Sequence, residues 1–176
     1  MRWLRKIRLS ATAAGMACIV PLAVSAATPT TYTDSISGTE LPGATSTQGS
    51  FAGTASGPLP GAWAATIDHT VLSPNAVISA GTFSLATAFN GQLAQVTGNF
   101  ANGGTVKLEW QAWGCGNQVY AVSDSLNDVA VSTLTGKIAS SGVDSFAATL
   151  THYRTSIFGF CVTYAATVSG DVSLTF

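Results

Sequence analysis

The sequence has 176 residues, only 9% of them charged, and a formal net charge of −1. Four of its seven basic residues (Arg2, Arg5, Lys6, Arg8) lie in the first eight positions. The remainder therefore sets Lys107, Lys137 and Arg154 against eight acids, 3 − 8 = −5. Three basic groups cannot neutralise a run of phosphates, which argues against nucleic acid as a partner and against recruitment to anionic lipid.

The basic "MRWLRKIR" is followed by "LSATAAGMACIVPLAV", which carries no charge, and Pro21 breaks that apolar run shortly before "VSA". A positive start, an apolar middle and a small-residue exit mark residues 1–26 as a secretory signal, with cleavage after Ala26 or, second choice, Ala27. The run is shorter than the ~18–20 apolar residues a membrane span needs. A lipoprotein reading of Cys18 fits less well, because the apolar stretch continues past it. The chain is expected to be secreted, to the periplasm or the exterior.

Residues 27–48, with "TPTTYTDSISGTELPGATSTQG", are rich in Thr, Ser, Gly and Pro and predict a weak first strand and a long loop. Residues 49–176 predict a single β-domain. In "GTVKLEWQAW", Val106, Leu108, Trp110 and Ala112 alternate with Thr105, Lys107, Glu109 and Gln111, the pattern of a half-buried antiparallel strand. "FCVTYAATVSG" alternates too, Val162, Tyr164, Ala166 and Val168 opposing Cys161, Thr163, Ala165 and Thr167. "GNFANGG" has the form of a hairpin turn with Asn102-Gly103 at its tip, and "SDSLND" that of a turn holding Asp124 and Asp128. The fold expected is all-β: one antiparallel β-barrel or β-sandwich of about eight to ten short strands.

Shifting the chain by 83 residues lays "FAGTASGPLPGAWAATIDH" over "LTGKIASSGVDSFAATLTH", with five of nineteen positions identical. "ISAGTFSL" then falls over "VSGDVSL" after a small slip. Two similar β-meanders, near 49–90 and 132–176, follow if the repeat is real. His69 and His152 match in it, each continuing an apolar face (Trp63-Ala65-Ile67 and Phe146-Ala148-Leu150) at its exit. Each is expected to be a rim histidine, packed on the core and bonded to backbone. Together with Arg154 they would otherwise hold an anion or supply an acid or base.

Arg154 is the sole arginine after the leader, and "HYRTSIFGFC" contains no acid to pair with it. Its candidate partners are Asp68, Glu109, Asp124, Asp128 and Asp144, and its expected role is a clamp on the loop before Cys161, with an anchor for an acidic ligand as the alternative. Trp113 and Tyr153 are candidates for stacking on a ligand, although packing over a disulfide is the expectation for Trp113. Trp63 and Trp110 fit inward positions. Cys115 and Cys161 are the two cysteines left after the leader and predict one disulfide.

No Gly-x-Ser-x-Gly, His-Glu-x-x-His or phosphate-cradling loop occurs, and the acids fall singly, so no metal and no cofactor is expected. The expected function is that of a non-enzymatic ligand- or surface-binding or structural protein, its partner a small ligand or a cell-surface component. The alternatives are a small β-barrel enzyme using the His/Arg rim and, behind it, an outer-membrane β-barrel suggested by the tail "GDVSLTF".

Overall fold

The computed structural model describes residues 28–176, and the signal assigned to 1–26 lies outside them. The described residues form ten strands: β1 (Thr31–Glu40), β2 (Gln48–Ser56), β3 (Gly61–His69), β4 (Ala76–Phe89), β5 (Gln92–Phe100), β6 (Thr105–Gln111), β7 (Gln118–Thr133), β8 (Gly136–Ala139), β9 (Asp144–Ile157) and β10 (Phe160–Thr175). All pair antiparallel in one sheet, and β3 pairing with β4 closes it into a ring. β5 and β6 both run antiparallel to β4 and to β7 and share one stave of the wall. β8 and β9 likewise share the stave on the other side of β7. Ten strands thus make eight staves, each joined to the next in chain order, with β1 against β10 completing the ring. This closed up-and-down ladder is barrel topology, and among its strands β8, paired only with β7, keeps one open side.

Alternation sets the two faces. In β1, expected to be weak, Asp34 and Ile36 point inward while Thr33, Ser35 and Ser37 point outward, and the strand is bonded on both sides. The outer wall is coated with Ser, Thr and Ala, tied across strands by hydroxyls such as Thr33 to Ser173 (3.0 Å) and Ser35 to Asp171 (2.8 Å). Inside, Trp63, Phe83, Phe100 and Phe146 meet with ring centroids 5.2–6.5 Å apart and plug the middle of the barrel. One end is closed by Tyr32, Phe89 and Phe176. The terminal phenylalanine therefore shuts the last strand onto the core.

The matching hairpins β3–β4 and β9–β10 lie four staves apart in the ring. In an antiparallel ring an even separation means the same direction, so His69 and His152 exit at the same end. Trp63 and Phe146, which match in the repeat, meet across the axis at 6.4 Å.

Three local expectations need correction. Asn102-Gly103 is not a hairpin tip: β5 and β6 do not pair with each other, and the loop between them is stitched to β4 by Gly103 N to Ile78 O and Ile78 N to Gly104 O. "SDSLND" is not a turn but the middle of β7, where Asp128, at φ 53°, marks an irregularity opposite Gly98. The alternation of β6 and β10 also breaks, because the register slips between Leu108 and Trp110 and between Thr163 and Ala165. Each slip adds a residue to one strand, and a one-residue change moves every later side chain to the other face. Trp110 is consequently 55% exposed, and Val162 and Tyr164 point outward while Ala166 and Val168 point in.

Candidate functional site

The end that carries the histidines opens into a cavity of about 560 Å³. Its floor is apolar: Phe51, Ile67, Val106, Val122, Phe146, Leu150 and Val168, the inward residues of six strands. Glu40, His69, Gln118, Tyr120, His152, Arg154 and Thr163 form its rim. The β1–β2 loop arches over it with Thr45 and Ser46, and the β3–β4 loop with Val71–Pro74. The second loop is pinned by Thr70 N to Val77 O (2.9 Å), Val77 N to Thr70 Oγ1 (3.0 Å) and Leu108 N to Asn75 Oδ1 (2.8 Å).

On one side of the mouth, β1 delivers Glu40 and β3 delivers His69. Gly49, on β2 between these two strands, makes room for Glu40: a Cβ there would lie 2.8 Å from the Phe51 ring and 3.2 Å from Glu40 Oε1. Burial pushes the Glu40 carboxyl upward, and the neighbouring His69 opposes the shift. His69 Nδ1 lies 2.7 Å from Thr70 O. A carbonyl only accepts, so Nδ1 carries a proton and donates in this contact.

On the other side, β9 delivers His152 and Arg154, two residues apart and so on one face, and β7 delivers Tyr120 and Gln118. Burial, then the charges of Arg154 and His69, hold His152 below the ordinary imidazole value, which favours its neutral form. Its ring is 5.2 Å from that of Tyr120. The Tyr120 hydroxyl donates to Gln118 Oε1 (2.9 Å), and Gln118 Nε2 donates to Gln111 Oε1 (2.9 Å), which orients the chain of amides along the rim. Burial pushes Tyr120 upward, against the pull of Arg154.

The acids expected to pair with Arg154 are engaged elsewhere. Asp68 accepts from Gln48 Nε2 (2.6 Å), Asp128 from Asn99 Nδ2 (3.3 Å), Asp124 from Ser125 N and Asp144 from Thr175 N (both 2.7 Å), while Glu109 is exposed on β6. Among the described residues none of them meets the guanidinium, which lines the cavity. The clamp before Cys161 is instead the Cys115–Cys161 disulfide, spanning 46 residues with Cα atoms 5.1 Å apart, together with Asn117 Oδ1 accepting from Arg154 N (3.4 Å). Cys161 itself faces the cavity.

Trp113 and Tyr153 fall outside the cavity. Trp113 is fully exposed rather than packed over the disulfide. The loop closes on itself through Ala112 N to Asn117 O (2.9 Å), and Gly116 packs so tightly on the Ala112 methyl that a Cβ would clash, leaving residue 113 at the outer tip. Tyr153 packs on Tyr164 on the outer wall, centroids 6.4 Å apart. Near them the β9–β10 hairpin projects past the end of β7 with Phe158 and Phe160 exposed.

Comparison with protein-family models, with curated proteins and with solved structures returns no match to this chain.

Of the residues singled out from sequence, His69, His152 and Arg154 converge on one cavity. Glu40, Gln118 and Tyr120 were not weighed as rim residues. The available signal was the period-2 phase of Asp34-Ile36-Gly38-Glu40 and of Gln118-Tyr120-Val122, which carries each polar residue onto an inward face at the histidine end.

Proposed function

We propose that the protein binds one small, mostly apolar organic molecule in the mouth of its barrel and acts as an exported, non-enzymatic binding protein. The observation that carries this reading is the cavity of about 560 Å³ above the aromatic plug, with an apolar floor and a few convergent polar groups. Its volume falls in the range of small-molecule sites and suits a ligand of roughly 15–20 non-hydrogen atoms. An eight-stave barrel is about the width at which side chains either fill the interior or leave room for one small ligand, and here the plug fills the middle while the mouth stays open. The Ser/Thr-coated outer wall favours an aqueous setting over an outer-membrane barrel, whose outer face would carry an apolar band. Export rests on the basic-then-apolar leader and on the disulfide.

Nile red, a neutral dye that brightens in apolar surroundings, tests the reading. Saturable one-to-one binding is expected, and Thr163→Trp, which fills the mouth from an exposed rim position, should abolish it. Absence of binding, or binding that survives Thr163→Trp and vanishes in Trp113→Ala, would contradict a site inside the barrel. A second reading, a small enzyme, is favoured by one observation. His69 donates from Nδ1 beside a carboxyl whose proton affinity is raised, which is a pair able to move a proton. Mass spectrometry of a bound ligand after incubation separates the two: a binding protein returns it unchanged.

A further inference from the structure

We infer that the ligand of this cavity is an anion with an apolar body, a carboxylate whose head is taken by Arg154 and His152 and whose tail rests on the floor. The inference rests on the binding reading above and specifies its ligand.

The distribution of charge leads to it. Past the leader the chain holds a single arginine and is acidic overall, and that arginine faces the cavity. Apart from Glu109, exposed on β6, the acids elsewhere in the barrel are committed to other donors. Glu40 is the one carboxyl on the rim, and the basic group that acts on it is His69, across the mouth from Arg154. Arg154 and His152, with Tyr120 beside them, are left as a donor-rich edge of an otherwise apolar cavity. A guanidinium presents paired N–H groups whose spacing matches the two oxygens of a carboxylate. His152 carries an N–H donor in either protonation state, which an anion can engage. Val122, Leu150 and Val168 lie directly inward of these donors, at the depth an aliphatic or aromatic tail would reach.

Three probes that share a tail and differ in the head test the assignment: decanoate, decanol and protonated decylamine, titrated calorimetrically into the disulfide-intact protein. Decanoate should bind about tenfold or more tighter than decanol, since hydrogen bonds to a charged group are the strong ones, and decylamine weakest. Arg154→Gln should bring decanoate down to the level of decanol and leave decanol unchanged. Arg154→Lys, which keeps the charge and loses the fork, should retain part of the preference. Circular dichroism of both variants should match that of the native protein. Equal affinity for decanoate and decanol, tightest binding of decylamine, or an Arg154→Gln variant that weakens all three alike would overturn the anion assignment and leave the cavity reading standing. If none of the three binds, the assignment falls, and the Nile red titration decides whether the cavity reading falls with it.

Discussion

Replacing both Cys115 and Cys161 by serine removes the covalent tie between the β6–β7 loop and the start of β10 without changing the volume of either site much. The bridge spans 46 residues. Closing a loop of that length in the unfolded chain corresponds to about 4 kcal/mol at 25 °C in the chain-entropy treatment. Unfolding entropy of about 2.1 cal/mol/K per residue over roughly 150 residues gives about 0.3 kcal/mol/K. The midpoint should then fall by about 13 °C, with strain or residual structure in the unfolded chain reducing the figure. The aromatic plug lies deeper in the barrel, so the double variant should keep its β-sheet circular dichroism and unfold in one transition. Calorimetric scans of native and variant protein at one pH measure the difference, and mass spectrometry under reducing and non-reducing conditions confirms the bridge in the native protein. A fall of less than about 3 °C would refute the view that the bridge constrains the unfolded chain of this domain.

Two further outcomes follow from burial. Asp34 is fully buried, with Oδ1 accepting from Leu59 N (2.7 Å), and burial raises its pKa above the ordinary 3.8. A raised carboxyl binds protons more tightly in the folded than in the unfolded chain. It therefore subtracts stability as pH climbs from the ordinary value through the folded one, and the penalty is complete above that. Asp34→Asn should raise the melting temperature at pH 7, the difference closing as pH falls through the raised value towards 3.8; a difference independent of pH would contradict the assignment. Trp63, packed on Phe83 and Phe146, should cost about 3–5 kcal/mol when changed to alanine, whereas Trp113→Ala should stay within about 0.5 kcal/mol. Urea unfolding of the two variants checks the pair, and equal effects would place Trp113 in the core.

Period-2 patterning made the all-β class, the inward face of β3 and the lower half of β9 legible, because Trp63-Ala65-Ile67-His69 and Phe146-Ala148-Leu150-His152 keep one phase to the end of the wall. The same patterning failed at Trp110, Val162 and Tyr164, where a slip of register changes the phase and leaves no mark in the local composition. The Asn102-Gly103 turn misled for a related reason: its chemistry specifies a turn but not whether the chain reverses or resumes in line, and the neighbouring β4 and β7 decide that. Arg154 was identifiable as informative because the chain is so poor in charge. Its freedom from a carboxylate among the described residues was not, since Asp68, Asp128 and Asp144 accept from Gln48, Asn99 and Thr175, groups distant in sequence that only strand pairing brings near.

The proposed binding function rests on the cavity at the histidine end of the barrel, and nuclear magnetic resonance tests it most directly. Amide shifts of ¹⁵N-labelled protein titrated with decanoate should move at His69, Gln118, His152 and Thr163, on four different strands around one mouth, while amides beside Tyr32, Phe89 and Phe176 at the closed end stay fixed. Shifts confined to Trp113 and the β9–β10 hairpin tip, or spread over the Ser/Thr outer wall, would contradict the cavity as the binding site.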